Sequence, residues 1–274
     1  MSKGYVIVAI GDEYIEQAYL CALSIKNTQK EVNTVCLITT RQPGKEYAGV
    51  FDDIVVERIK DNGRYKTKLR SKVYDLTPYD ETIVLDSDMI FTEDVSRWWE
   101  NLSNKNLFFT TTIKTYRGHI ADNTYYREIF KKHNLPNTYV ALHYFKKSQI
   151  AGIFYSLVNY ISDDESVTYK QILKTKKLIE PSFDFTCALA INMLDIEAEV
   201  TETGLGYPTF VHMKGRNQGW KTPKHNWLTK IPYYIDKDLN FYVGNYRQTE
   251  VFHYSEKDFA TKEIIGKYKD YYDR

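Results

Sequence analysis

The chain has 274 residues, enough to bury one large core, and 37 Lys and Arg against 36 Asp and Glu leave a net charge of +1, which excludes a polycation that grips nucleic acid through its bulk field alone. Aromatic residues make up 15%, with 24 Tyr against 13 Phe, a balance that favours clefts where a ring packs while its hydroxyl stays bonded. Cys21, Cys36 and Cys187 lack ligand spacing and read as reduced core residues of a cytoplasmic protein, the apolar run after Lys3 is too short for a signal peptide, and no run approaches membrane-spanning length.

Tyr5 to Ile10 is a continuous apolar run closed by Gly11-Asp12-Glu13, and Glu16 to Ile25 follows with helical periodicity, so a strand feeds a helix. Thr34 to Thr40 and Ile54 to Val56 repeat the strand signal, Lys68 to Asp75 reads as helical, and Ile83 to Leu85 as a fourth strand. Strands alternating with helices predict an α/β fold with a mostly parallel central sheet, whose ligands sit at the carboxyl ends of the strands. Gly11-Asp12 and Asp86-Ser87-Asp88 both fall at such ends. On an extended backbone Asp86 and Asp88 face one side and Ser87 the other. Two hard oxygen donors aimed at one point suit Mn²⁺ or Mg²⁺ shared with a substrate phosphate. An isolated Asp-x-Asp is also a common turn or helix cap, but the apolar frame of Thr82 to Leu85 before it and Met89-Ile90 after it favours the metal. Neither a glycine-rich dinucleotide fingerprint nor a phosphate loop is present.

Further on, Phe108 to Ile113 and Thr138 to Phe145 read as strands, Ile150 to Ile161 and Phe185 to Leu194 as helices, and Phe210 to Met213 and Glu250 to Tyr254 as late strands. The expected organisation is a single domain over residues 1–274, with 200–274 forming a mixed C-terminal part. Between Glu202 and Asp236 no acidic residue occurs, while Lys214, Arg216, Lys221, Lys224 and Lys230 alternate with His212, Trp220, His225 and Trp227. Such a run is either a solvated basic face or a surface for phosphates or an anionic acceptor.

Together these segments resemble the glycogenin-like and bacterial galactosyltransferase-like enzymes of glycosyltransferase family 8, and the composition has the look of a phage member. The resemblance implies a GT-A fold, a nucleotide-sugar donor (a UDP-sugar first), Mn²⁺ or Mg²⁺, and transfer with retention of anomeric configuration. Under it Ala9, Ile10, Gly11, Asp12 and Tyr14 hold the base and ribose, and Lys68, in Thr67-Lys68-Leu69-Arg70, reaches the donor. Asp86 and Asp88 hold the metal, with Ser87 beside the donor. Asn137-Thr138-Tyr139 stands where the family has Asn-Ser-Gly. Asp184-Phe185 stands at its Asp-Gln, where Asp184 would stabilise an oxocarbenium-like sugar or orient the acceptor.

The family's third metal ligand is a late histidine, and two compete. His253 is followed by Lys257, a further donor contact; His212 opens His212-Met213-Lys214-Gly215-Arg216 with Trp220. Only 212 − 184 = 28 residues separate Asp184 from His212, against 253 − 184 = 69 for His253, and a helix and a strand must fit between. That favours His253 and assigns His212, Lys214, Arg216 and Trp220, with Asn137, to acceptor contacts.

The basic, tryptophan-bearing stretch points to an acceptor that stacks and carries phosphate, such as a hydroxymethylated base in phage DNA. A saccharide or a protein tyrosine is the alternative within the family. A nucleotidyltransferase would need a glycine-rich basic loop after the first strand, which Gly11-Asp12-Glu13 is not, and a non-catalytic sugar or nucleic-acid binding module would not need Asp86, Asp88 and Lys68 together.

Overall fold

The computed structural model describes residues 1–58, 65–121, 127–163, 182–204, 206–220 and 226–274; Lys221, Lys224 and His225 of the basic run lie outside the described residues. In chain order, β1 (Lys3–Ala9) leads through Gly11 into α1 (Asp12–Thr28), followed by β2 (Val35–Thr39), β3 (Asp53–Val56), α2 (Tyr65–Ser71) and β4 (Glu81–Asp86). Then come β5 (Met89–Ile90), β6 (Leu107–Thr110), β7 (Ile113–Lys114), β8 (Tyr139–Lys146), α3 (Gln149–Asp163) and α4 (Phe183–Leu194). The last part holds β9 (Phe210–His212), β10 (Tyr233–Ile235), β11 (Phe241–Val243), β12 (Tyr246–Gln248), β13 (Val251–His253) and α5 (Lys262–Tyr272).

A six-stranded sheet in the order β3-β2-β1-β4-β8-β6 carries the fold. β3, β2, β1 and β4 run parallel, as the alternating pattern predicts, and β8 enters antiparallel between β4 and β6. β1 is apolar throughout because helices cover both faces: Tyr5, Ile7 and Ala9 enter one core with α1, while Val6 and Val8 enter a second with α3 and α4. Gly11 caps α1 at φ 89° and ψ 160°, a region that only glycine adopts without strain, and this lets the chain turn from strand to helix in two residues. All three cysteines are free and buried, and no helix among the described residues is long and apolar enough to cross a membrane.

Two expectations change. Phe108 to Ile113 is not one strand: it breaks at Thr111-Thr112, and β6 stays in the large sheet while β7 joins a four-stranded sheet, β5-β13-β9-β7. Lys68 to Asp75 is likewise not one helix, since α2 ends at Ser71 and a short helix, Val73–Leu76, follows. The C-terminal part also contains an antiparallel meander, β10-β11-β12. Its inner face supplies Ile235, Phe241 and Val243 to the core around Trp227.

His143 on β8 is a buried polar group the fold must keep neutral. It is 2% exposed, stacks on Phe109 at 5.4 Å and 6°, and its ring nitrogens lie 2.9 Å from Val140 O and 2.9 Å from Tyr155 Oη. Burial, aided by the nearby Arg70 cation and opposed by the Val140 carbonyl, pushes its pKa down from 6.5 to about 4. A depressed histidine pKa means that the unfolded chain takes up the proton first as pH falls. The contribution is therefore complete above about pH 6.5 and is lost between there and pH 4, to the extent of roughly 3 kcal/mol. Urea titrations across that range should show this acid-side loss in the wild type and a flatter profile in His143→Gln.

Candidate active site

Asp86 ends β4 and Asp88 precedes β5, so the acidic pair sits at the junction of the two larger sheets. β13 lies antiparallel to β5 with His253 opposite Met89, and parallel to β9 with His253 opposite His212. Tyr254 N donates to Asp88 O at 3.1 Å and Met213 N to His253 O at 3.0 Å. These bonds fix the late strands against the acidic turn. His253 Nε2 lies 2.9 Å from Asp88 Oδ2, and one donor atom from each of Asp86, Asp88 and His253 lies within 4.8 Å of the others.

Two carboxylates and an imidazole converging from positions 165 residues apart in sequence (253 − 88) form a donor set of the kind that holds Mn²⁺ or Mg²⁺. Metal-binding histidines usually donate their second ring nitrogen to an acceptor. Here Nδ1 of His253 is buried without a hydrogen-bond partner, and the ring is oriented by stacking on His212 at 4.4 Å and 16°. Burial foremost, then His253, Lys214 and Arg127, keep His212 well below its ordinary pKa and so neutral. Burial opposes ionisation of Asp88, yet the His253 imidazole, backbone hydrogen bonding and the Lys214 cation hold its carboxyl below the usual range.

The pair opens onto a cleft of about 280 Å³ lined by Val8, Ile10, Tyr14, Arg70, Asp86, Ser87, Asp88 and Phe183. One wall is the strand-to-helix turn, with Ile10 and Tyr14 among the lining residues. Lys257 reaches the rim, with Nζ 2.5 Å from Glu13 Oε2 and 4.7 Å above the Tyr14 ring. Ala9 is buried at the end of β1, and Asp12 pairs with Arg41. Lys68 is not among the lining residues; its Nζ lies 2.8 Å from Asp163 Oδ1. Arg70 faces the cleft instead and pairs with Asp86. Two residues at about 100° each place their side chains on opposite sides of a helix, so one flank of α2 cannot present both. Desolvation disfavours the Arg70 charge, but Asp86, Asp88 and Asp184 more than offset it and raise its pKa.

Asp184, in the first turn of α4, accepts from Val140 N at 2.9 Å and pairs with Arg127, which also donates to Asn137. Sequence reasoning missed both arginines. Arg70 carried a readable signal, a cation on the helix before the acidic pair, whereas Arg127 carried none. Of the basic stretch, Lys214 is exposed beside the site and Arg216 is half-buried in the following turn. Trp220 packs on the core with Lys230 Nζ 5.7 Å from its ring.

No family model matches the sequence, and no curated protein does. The chain has the GT-A fold of the glycosyltransferases. It is similar to apo GlyE of Streptococcus pneumoniae TIGR4, with a TM-score of 0.52 and 14% identity over 99% of this chain and 60% of that one. It is also similar to the galactosyltransferase LgtC solved with donor and acceptor sugar analogs, with a TM-score of 0.55 and 13% identity over 96% of this chain and 95% of that one. The chain thus spans about 60% of the length of GlyE, and at these identities the likeness is one of fold.

Proposed function

We propose that this protein transfers a sugar from a nucleotide-sugar donor, a UDP-sugar first, to an acceptor hydroxyl with retention of configuration. The observation that carries the reading is the convergence of Asp86, Asp88 and His253, the first two of which line the cleft, on a GT-A fold. These three residues would hold Mn²⁺ or Mg²⁺, which when bound supplies Lewis-acid neutralisation of the departing diphosphate. Ile10, Gly11 and Tyr14 receive the base and ribose, and Lys257 stands at the rim over Tyr14. Arg70, a fixed cation beside the acidic pair, is better placed than Lys68 to meet donor phosphate or sugar oxygens. Asp184 faces the sugar end as a carboxylate held by Arg127 and Val140 N.

The acceptor is a hydroxylated molecule entering past Phe183 and Lys214. Lys214 and Arg216 favour an anionic one, which keeps a hydroxymethylated DNA base among the acceptors to try. The stacking argument for it loses one of its two rings, because Trp227 is fully buried and its Nε1 donates to Tyr254 O at 2.8 Å.

Thermal stabilisation by nucleoside diphosphates and nucleotide-sugars, each with and without Mn²⁺, tests the reading. Ligand at about a hundred times its Kd adds roughly 2.7 kcal/mol, which for a chain of this size raises Tm by about 5–10 °C. A Mn²⁺-dependent rise with UDP and a UDP-sugar is expected, and the absence of a rise with every nucleotide would overturn the proposal.

A further inference from the structure

Arg127 is 5% exposed, and each of its three guanidine nitrogens donates to a different acceptor. Nε donates to Asn137 Oδ1 at 2.7 Å, Nη1 to Asp184 Oδ2, and Nη2 to the Thr138 carbonyl. The guanidinium packs over two aromatic rings, 4.0 Å from the Phe130 centroid and 4.2 Å from that of Tyr139. A flat, rigid fork of this kind fixes its acceptors in angle as well as in distance.

The acceptors belong to two separate pieces of chain. Asn137 and Thr138 lead into β8, and Asp184 opens α4. Thr138 Oγ1 adds a bond to Asp184 O at 3.2 Å, and Val140 N holds the other carboxylate oxygen of Asp184 at 2.9 Å. The Asp184 side chain nevertheless stays 31% exposed, and a carboxylate has about four lone-pair sites. Each of its oxygens therefore keeps capacity for a further donor; Asp184 directly follows Phe183, which lines the cleft, and its charge favours the Arg70 cation.

We propose that Arg127 is a positioning residue that joins Asn137, Thr138 and Asp184 into one rigid unit at the sugar end of the cleft. It aims the Asp184 carboxylate as a fixed acceptor for a sugar hydroxyl and not as a mobile nucleophile. The inference rests on the sugar-transfer reading. It predicts that Arg127 governs turnover while the nucleotide end, held at Tyr14 and the acidic pair, is untouched.

The test uses the 274-residue chain with Arg127→Gln and Arg127→Lys; the second retains the charge but loses the fork, and serves alone if the first does not fold. A crystal structure of the folded variant should show the Asp184 carboxylate turned away from Val140 N. With the donor that the wild type turns over, kcat should fall by about 100-fold, the loss expected when a reacting group is misplaced by about 1 Å, with donor KM and nucleoside diphosphate affinity unchanged within threefold. Added guanidinium ion should restore part of kcat to Arg127→Gln but not to the wild type.

An Asp184 that stays in place in the variant crystal overturns the proposal, as does an unchanged kcat. A parallel loss of kcat, KM and Tm without guanidinium rescue also overturns it, since that is the mark of a purely structural ion pair. A wild type inert towards every nucleotide-sugar would sink the transfer reading alone, and the position of Asp184 in the variant crystal would still decide the role of Arg127.

Discussion

Asp88→Asn is expected to abolish the Mn²⁺-dependent part of nucleotide stabilisation and to cut turnover by several hundredfold. The substitution keeps the size of the side chain and removes its charge. It removes one of the two carboxylates of the proposed metal site and the oxygen 2.9 Å from His253 Nε2. Removal of electrostatic stabilisation from a developing charge costs about 3–4 kcal/mol of barrier, and each 1.4 kcal/mol is about tenfold in rate. Folding should survive, because Tyr254 N bonds to the Asp88 backbone carbonyl and not to its side chain. Circular dichroism and Tm in the absence of metal check that point; kcat within threefold of wild type would remove Asp88 from the metal site.

The largest expected effect on stability is at Trp227. Its ring is fully buried among Tyr233, Phe252 and Phe259, at centroid distances of 5.3, 5.8 and 5.8 Å. Trp227→Ala opens a cavity and removes one of the two donors to the buried Tyr254 carbonyl, which keeps Glu256 N at 2.7 Å. Substitutions of this kind cost about 3–5 kcal/mol, which for a chain of this size lowers Tm by roughly 10 °C. Phe252 lies in β13 one residue before His253, so the variant should also bind Mn²⁺ and nucleotide more weakly than wild type well below its Tm. Trp227→Phe should recover most of the packing but not the hydrogen bond. A Trp227→Ala protein with unaltered Tm would show that the C-terminal core bears little of the load assigned to it.

Much of this architecture could be read from the chain. β1, β2 and β4 are buried on both faces, so they appear as continuous apolar runs, and the acidic pair stands out because it ends one of them. His253 came from the length of chain needed between Asp184 and the last strand, and β13 brings it to Asp88. The direction of β8 was not legible, since an apolar strand carries the same residues whichever way it runs. The phase of α2 was not either: over seven residues a helix face cannot be told from composition, and it is Arg70, two residues after Lys68, that lines the cleft. Arg127 acts through partners 10, 11 and 57 residues away, a pattern with no local periodicity. The meander did leave a trace, Gly244-Asn245 between two aromatic runs, which is a hairpin signal; Gly244 has φ 56° there.

The four-stranded sheet that carries His253 takes its strands from around residues 89, 113, 211 and 252. The chain must be made through His253 before β13 can slot between β5 and β9. A slip of one residue in β13 would turn His253 to the other face and put Phe252 or Tyr254 in its place. On the proposed metal-site reading, affinity for a divalent ion works as a proofreader of assembly: a molecule that captures the ion has set the register of its late strand correctly. Pairings this remote in sequence form slowly, so during refolding the recovery of metal binding should trail the recovery of helical signal.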